Sequence, residues 1–292
     1  ELCEATGHAD AGAVKKVSSK VTKQLAKEGL LPSSGASGAP AASAQPVQPS
    51  ARKERKAKAA GLSNASPPKY SQEFWNERYK QSDSQEWLLT WQDVASELAP
   101  LLKPDDRILV VGCGNSTFSK DMHDAGFNNI LSTDLNQTVI DVMAARHPEM
   151  EWKVDDATQS CLDDELFDVL IEKSVIDNLY QNGAEVSEAD ATISSFWLET
   201  WRLVKPGGKY VCMNFTPRNR LLDSWFTSWM LQVGTSLGQV PWKVNVLNCT
   251  PSRIPDQDKI AGVAHTTFVA TKCGPSLAEL EAKAANSGVN TV

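Results

Sequence analysis

Gly112 and Gly114 follow directly on four consecutive aliphatic residues, Ile108 to Val111. A glycine turn at the end of a strand admits positive φ and lets the backbone approach a ligand with no Cβ in the way, and a helix opening behind it turns free amides toward that ligand. Such a turn holds a nucleotide-type cofactor, unless it is merely a tight connection. Asp134 closes a second apolar run, 130 to 134, 20 positions after Gly114. An acid there grips a ribose hydroxyl pair in nucleotide-binding α/β folds, or else caps the next helix, a duty to which Asn136 and Thr138 are also suited. Thr117 stands where a dinucleotide turn carries its third glycine, which argues against NAD or FAD and leaves room for another adenosine cofactor.

The wider set of motifs is Val-Gly-Cys-Gly-Asn-Ser (111 to 116), Thr-Asp-Leu (133 to 135), Asp-Asp-Ala-Thr (155 to 158), Phe-Asp-Val-Leu-Ile-Glu-Lys (167 to 173) and Leu-Val-Lys-Pro-Gly-Gly-Lys (203 to 209). In these the chain resembles the class I S-adenosylmethionine-dependent methyltransferases. Within them it is most similar to the methyltransferase-like group that includes lysine methyltransferases of translation elongation factor 1-alpha. The resemblance starts near Tyr70 and runs to about Phe215, with fold-level agreement to about Cys273. It implies a Rossmann-like α/β fold: a seven-stranded, mostly parallel sheet with an antiparallel edge hairpin. It also implies S-adenosylmethionine as cofactor and a protein substrate, a translation factor being one candidate.

The resemblance further assigns residues. Asp156 and the backbone of Ala157 fall at the adenine, although Asp155 and Asp156 also read as solvated turn acids. Lys173 matches a cofactor contact, and Asp177 matches an acid beside the methyl-transfer site, with helix capping as its ordinary alternative. Trp75, Tyr79 and Trp87 match aromatics that lid the cofactor; aromatics at helical spacing otherwise read as core. Where the family has Gly-Thr after the lysine, this chain has Ser174 and Val175. A serine adds a side chain where the backbone needs unusual freedom, and a valine removes a hydroxyl, so the departure bears on the substrate channel more than on the cofactor site.

Methyl transfer from a sulfonium is an in-line displacement in which the enzyme chiefly aligns the partners. A lysine acceptor with a reference pKa of about 10.4 is neutral in only roughly one molecule in 10³ near pH 7.4, so the site must take a proton or favour the neutral amine by desolvation. Glu172 and Asp177 are the nearest acids and are assigned the catalytic positions, orienting a cationic lysine first and acting as base second. A methyltransferase-like subunit that keeps the fold and serves as a structural or assembly component is the alternative, motivated by Ser174 and Val175.

The elements that must position these residues follow from periodicity. Phe74, Trp75 and Tyr79 share one face of a helix, and a second helix spans 93–102. After the glycine turn come helix 117–125, strand 129–132, helix 139–146, strand 151–154 and strand 167–171. A polar, mobile loop spans 181–191, followed by helix 193–203 with Phe196, Trp197 and Trp201 inward and a tight turn at 205–208. Strand 210–215, a tryptophan-bearing helix 221–237 and an alternating pair, 243–247 and 266–271, complete the order. Alternating strands and helices predict a parallel sheet with ligands beyond the strands' carboxyl ends.

Three regions are expected: 1–69, a helix, a flexible linker and a basic arm; 70–273, the methyltransferase domain; and 274–292, a tail. Residues 1–70 hold 11 Lys or Arg against 5 Asp or Glu, and the remainder 18 against 31. An acidic domain is a poor grip for nucleic acid and suits a cationic substrate better. The stripe Val14, Val17, Val21, Leu25 predicts a solvated or partner-docked helix, 33–50 a low-complexity linker, and the cluster from Arg52 to Lys58 a solvated run or the contact of an acidic partner, RNA or a localisation signal. A larger assembly holding this arm is a further expectation. No stretch approaches the roughly 18 apolar residues of a membrane helix. The six cysteines form no C-x-x-C pair, so zinc is not expected and a reducing compartment is. Residue 1 is Glu rather than Met, which suggests a processed start that carried a targeting segment. Cytosol follows from the resemblance, a chloroplast or mitochondrion from the start and the arm.

Overall fold

The aliphatic run forms β1 (Ile108–Val111), and all four of its residues are buried. Leu109 and Val111 enter one hydrophobic cluster while Ile108 and Val110 enter another, so both faces of the strand are covered, as its unbroken apolar sequence requires. The computed structural model describes residues 72–81, 84–182, 186–216, 218, 221–230, 241–249, 265–274, 276 and 279. The expectations for the arm and for nearly all of the tail lie outside the described residues.

β1 sits in a seven-stranded sheet ordered β3-β2-β1-β4-β5-β7-β6. Its other members are β2 (Ile130–Asp134), β3 (Glu151–Val154), β4 (Phe167–Lys173), β5 (Val204–Asn214), β6 (Trp242–Val246) and β7 (Thr266–Lys272). β1 pairs in parallel with β2 on one side and β4 on the other, β2 with β3 and β4 with β5 likewise. β7 runs antiparallel to both β5 and β6, which is the expected edge pair. Strand order reverses at β1, and the crossovers part there to leave a crevice beyond the carboxyl ends of β1 and β4.

Among the described residues six α-helices flank the sheet: α1 (Gln72–Gln81), α2 (Trp91–Leu98), α3 (Phe118–Asp124), α4 (Gln137–Arg146), α5 (Val175–Asn182) and α6 (Val186–Leu203). Val94 and Leu98 of α2, Phe118 and Met122 of α3 and Val139 and Met143 of α4 cover one face. Ile193, Phe196, Trp197 and Trp201 of α6 cover the other. Thr90 starts α2 with a reciprocal capping box, its hydroxyl accepting from Asp93 N while its own amide donates to Asp93 Oδ2 at 2.7 Å.

Several boundaries differ from expectation. α6 begins at Val186, so most of the stretch expected as a loop is helix. The expected turn at 205–208 lies within β5, whose pairing with β4 shifts register between Phe167 and Val169. Gly208 allows this crossing, because a Cβ on it would lie 2.7 Å from Asp168 O and 2.9 Å from Lys205 O. Leu221–Phe226 winds as π-helix before 227–230 turn α-helical, and the rest of that expected helix lies outside the described residues. Gly208→Ala should therefore destabilise the protein by roughly 1–3 kcal/mol, the usual penalty of overpacking, read as a lower urea midpoint with unchanged slope. An unchanged midpoint would show that this crossing tolerates a side chain.

Candidate active site

A cavity of about 250 Å³ opens at the carboxyl ends of β1, β2 and β4. Its wall holds Trp75, Tyr79, Trp87, Gly112, Gly114, Asp134, Asp156, Ala157, Lys173 and Asp177, so ten residues singled out from motifs scattered over the sequence meet in one place. Glu172 is the one nominated residue outside this wall.

Gly112 and Gly114 have φ of +60° and +52°, the left-handed region that L side chains avoid. The space is also closed to side chains: a Cβ on Gly112 would come within 2.5 Å of Val175 Cγ2, and one on Gly114 within 3.1 Å of the Tyr79 hydroxyl. Asp134 completes the turn from β2. Its Oδ2 accepts from Gly114 N at 2.9 Å and its Oδ1 from Asn136 N at 3.0 Å. The helix cap is a different residue, Asn136, whose Oδ1 accepts from Val139 N, so Asp134 is not spent on capping α4. Burial raises its carboxyl pKa against these amide bonds.

Over the turn lie three aromatics. Trp75 stacks on Tyr79 with ring centroids 5.7 Å apart and meets Trp87 edge-on at 5.9 Å. Burial, then the nearby Asp134, pushes the Tyr79 phenol far above its ordinary pKa. α1 is pinned to the floor through Asn136 Nδ2, which donates to Asn76 Oδ1 at 2.7 Å. On the opposite side the loop after β3 is self-bonded. Asp155 accepts from Ser160 Oγ and Cys161 N, while Asp156 Oδ1 accepts from Thr158 N and Thr158 Oγ1. Nothing among the described residues donates to Asp156 Oδ2.

β4 carries on through Glu172 and Lys173, beyond its apolar run. Glu172 is completely buried beneath the cavity: Oε2 accepts from Val175 N at 2.9 Å, and Oε1 accepts from Asn214 Nδ2 and Tyr210 OH. It lies outside the cavity wall and closes the first turn of α5. Desolvation, with Asp177 adding, raises its pKa to about 8. Lys173 contributes to the wall, but its ammonium is held by Glu86 Oε2 at 2.6 Å and Leu89 O at 2.9 Å rather than pointing free.

Asp177 lies in the wall, bound from the end of β5: Oδ2 accepts from Phe215 N at 2.8 Å, and Oδ1 accepts from Thr216 N and Thr216 Oγ1. Asn214 Oδ1 accepts from Asp177 N, so Asn214 bridges Glu172 and Asp177. Burial raises the Asp177 pKa. Ser174 sits between them at φ +63°, so the residue that replaces the family's glycine keeps the glycine's backbone.

Glu86 and Asn214 escaped the sequence reading, whereas Asn136 was marked there as suited to a helix start, the role it takes. The assembled set fits an adenosine cofactor: a bare backbone floor at two glycines, carboxylate acceptors at Asp134 and Asp156 Oδ2, and aromatic faces above. Among the described residues no helix is long and apolar enough to cross a membrane.

Residues 109–212 match the family model described as a methyltransferase domain. The chain is 33% identical over 170 residues to the eEF1A lysine and N-terminal methyltransferase homolog of Drosophila melanogaster, covering 53% of this chain and 25% of that one. It is 32% identical over 151 residues to the EEF1A lysine methyltransferase 4 of Mus musculus, covering 48% and 59%. It thus spans a quarter of the first relative's length and under two thirds of the second's. Among solved structures, a SAM-dependent methyltransferase from Methanosarcina mazei superposes with a TM-score of 0.43 at 18% identity, over 61% of this chain and 97% of that one.

The left-handed backbone at Ser174 costs a non-glycine residue roughly 1–2 kcal/mol, partly offset by glycine's larger unfolded-state entropy. Ser174→Gly should accordingly raise unfolding stability by up to about 1 kcal/mol in urea titration; a loss would mean that the serine side chain contributes more than its strain. Glu172 sets a pH dependence. Its folded pKa of about 8 lies above the ordinary 4.5, so between these values the folded state holds the extra proton and stability falls as pH rises. Glu172→Gln should flatten this decline, whatever its effect on absolute stability, when unfolding is compared at pH 5 and pH 9. An identical slope in both proteins would place the ionisation elsewhere.

Proposed function

We propose that this chain, a class I S-adenosylmethionine-dependent methyltransferase by its domain and its sheet order, methylates a lysine side chain of a protein. The observation that carries the reading is the cavity wall itself, which brings Asp134, Asp155, Asp156 and Asp177 to one opening with Lys173 as their sole basic companion among the described residues, and that lysine is paired with Glu86. Such a wall attracts a cation and suits a lysine ammonium better than a phosphate-bearing acceptor. The names of the relatives, eEF1A lysine methyltransferases, support the same substrate class.

S-adenosylmethionine, when bound, supplies a methyl group already activated by its sulfonium. The chain's own residues do the rest. Asp134 is set at the end of β2 with both oxygens oriented by amides and lone pairs left for ribose hydroxyls. Asp156 Oδ2 offers an acceptor for the adenine amine. Trp75, Tyr79 and Trp87 cover the opening and exclude water, which strengthens every polar contact beneath them. Asp177 is immobilised by three donors and is therefore positioned to draw in and orient the amine. Its pKa, raised by burial, makes it a better proton acceptor than a free aspartate. Proton loss from the substrate thus relies on desolvation of the ammonium under the lid as well as on Asp177.

The test is calorimetry of S-adenosylmethionine and S-adenosylhomocysteine against the chain, followed by incubation with purified elongation factor 1-alpha and radiolabelled cofactor. Binding in the micromolar range and label on a lysine are expected. Asp134→Ala should abolish binding while circular dichroism shows the fold retained. Absence of cofactor binding by folded protein would overturn the enzyme reading in favour of a structural subunit. Unchanged affinity in Asp134→Ala would remove that residue from the cofactor site.

A further inference from the structure

We infer that Glu86, acting through Lys173, is a positioning residue that seats the aromatic lid on the glycine turn; this rests on the methyltransferase reading of the cavity. Glu86 lies in the segment between α1 and α2, flanked by Gln85 and Trp87, both of which line the cavity. Its carboxylate reaches away from the lid into the floor. Oε1 accepts from Thr117 N at 2.5 Å, the Ser116 hydroxyl lies 2.8 Å from both oxygens, and Oε2 accepts from Lys173 Nζ at 2.6 Å. Lys173 returns to the same segment a second time by donating to Leu89 O. The side chains of the pair are only 10% and 16% exposed, which separates it from a solvated surface ion pair of negligible worth.

The latched segment carries the lid. Trp87 packs edge-on against Trp75, Arg78 of α1 lies over the Trp87 ring at 5.0 Å, and Arg78 Nε donates to Gln85 Oε1 at 2.7 Å. Releasing Glu86 therefore frees Trp87, and with it Trp75 and Tyr79. Leu88 supplies an independent sign of constraint. It is buried two residues before Thr90, the N-cap of α2, at a sharp turn in which Leu89 N donates to Trp87 O, and Leu88 adopts φ +63°. A leucine is held in the left-handed region only where its surroundings over-determine it, and the anchors at Glu86 and Leu89 O stand on either side of it. The Phe118 ring, 5.0 Å from Lys173 Nζ, completes the enclosure of the cation.

The test compares S-adenosylhomocysteine with 5′-methylthioadenosine, which keeps the adenosine and lacks the amino-acid end. Dissociation constants and off-rates are measured on the full chain, on Glu86→Gln, on Lys173→Gln and on the double variant, which removes both buried charges together and so keeps the fold accessible. Loss of a charged hydrogen bond of this kind should weaken both ligands about tenfold or more, by the same factor and chiefly through faster release. The double variant should be no worse than either single one, because the two residues act as one unit. Loss confined to S-adenosylhomocysteine would overturn the proposal and make the pair a direct ligand of the amino-acid end. Additive losses, or none, would overturn it as well. Failure of the unaltered, folded chain to bind either ligand would instead bring down the methyltransferase reading on which it rests.

Discussion

The pairing of side-chain carboxylates with backbone amides at the carboxyl ends of the strands holds this crevice open and in register. Strand ends and helix starts expose N–H groups that the sheet cannot satisfy, and each costs free energy if buried unpaired. Here Asp134 takes the amides of Gly114 and Asn136, Glu86 that of Thr117, Asp155 that of Cys161, Glu172 that of Val175, and Asp177 those of Phe215 and Thr216. The bonds of Asp134 to Gly114, of Glu86 to Thr117 and of Asp177 to Phe215 and Thr216 tie separate crossovers together, while the others close their own turns. The acidic balance of the domain is thus partly an internal fastening, and the cationic preference of the cavity is a by-product of how its walls are held.

This fastening has a cost that falls unevenly. Asp177 and Asp134 keep contact with the cavity, where a bound cation or hydroxyl can offset their desolvation. Glu172 has no such outlet; its companions are Asn214, Tyr210 and the α5 amide, and it keeps its proton to about pH 8. Asn214 reconciles the two acids by donating to one and accepting from the amide of the other, a division of labour available to an amide and closed to a third carboxylate.

What the sequence disclosed follows the range of its signals. β1, the glycine turn and Asp134 were legible because an apolar run, two glycines and an acid at the next strand's end are local patterns. The edge pair β6 and β7 was legible through alternation, although the residues joining its strands are not described. Asp156, Lys173 and the aromatics came only through resemblance to a family; their spacing alone reads equally well as turn and core. Glu86 was invisible, since its partners lie 30, 31 and 87 residues away and nothing beside it marks a buried acid. Glu172 was nominated for its proximity in sequence to Asp177, but it lies near the end of a strand whose successive residues point to opposite faces, and of Glu172 and Lys173 only the lysine lines the cavity. The helical stretch after Val186 was taken for a loop because polarity was weighed above helix propensity.

The departure at Ser174 and Val175 is better understood from backbone than from side-chain chemistry. Ser174 adopts the left-handed φ that a glycine would adopt freely, and Asp177 arrives at the wall. Ser174 N donates to Met213 O at 2.7 Å and Ser174 O accepts from Asn178 Nδ2 at 2.6 Å, two bonds that hold the strained residue from both sides. Val175 turns its Cγ2 onto Gly112, filling the space above that glycine with a methyl group where a hydroxyl would seek a partner. The junction of β4 and α5 is thus held in the left-handed region by hydrogen bonds on either side, with a methyl group packed on Gly112, and what it holds in place is the acid in the cavity wall.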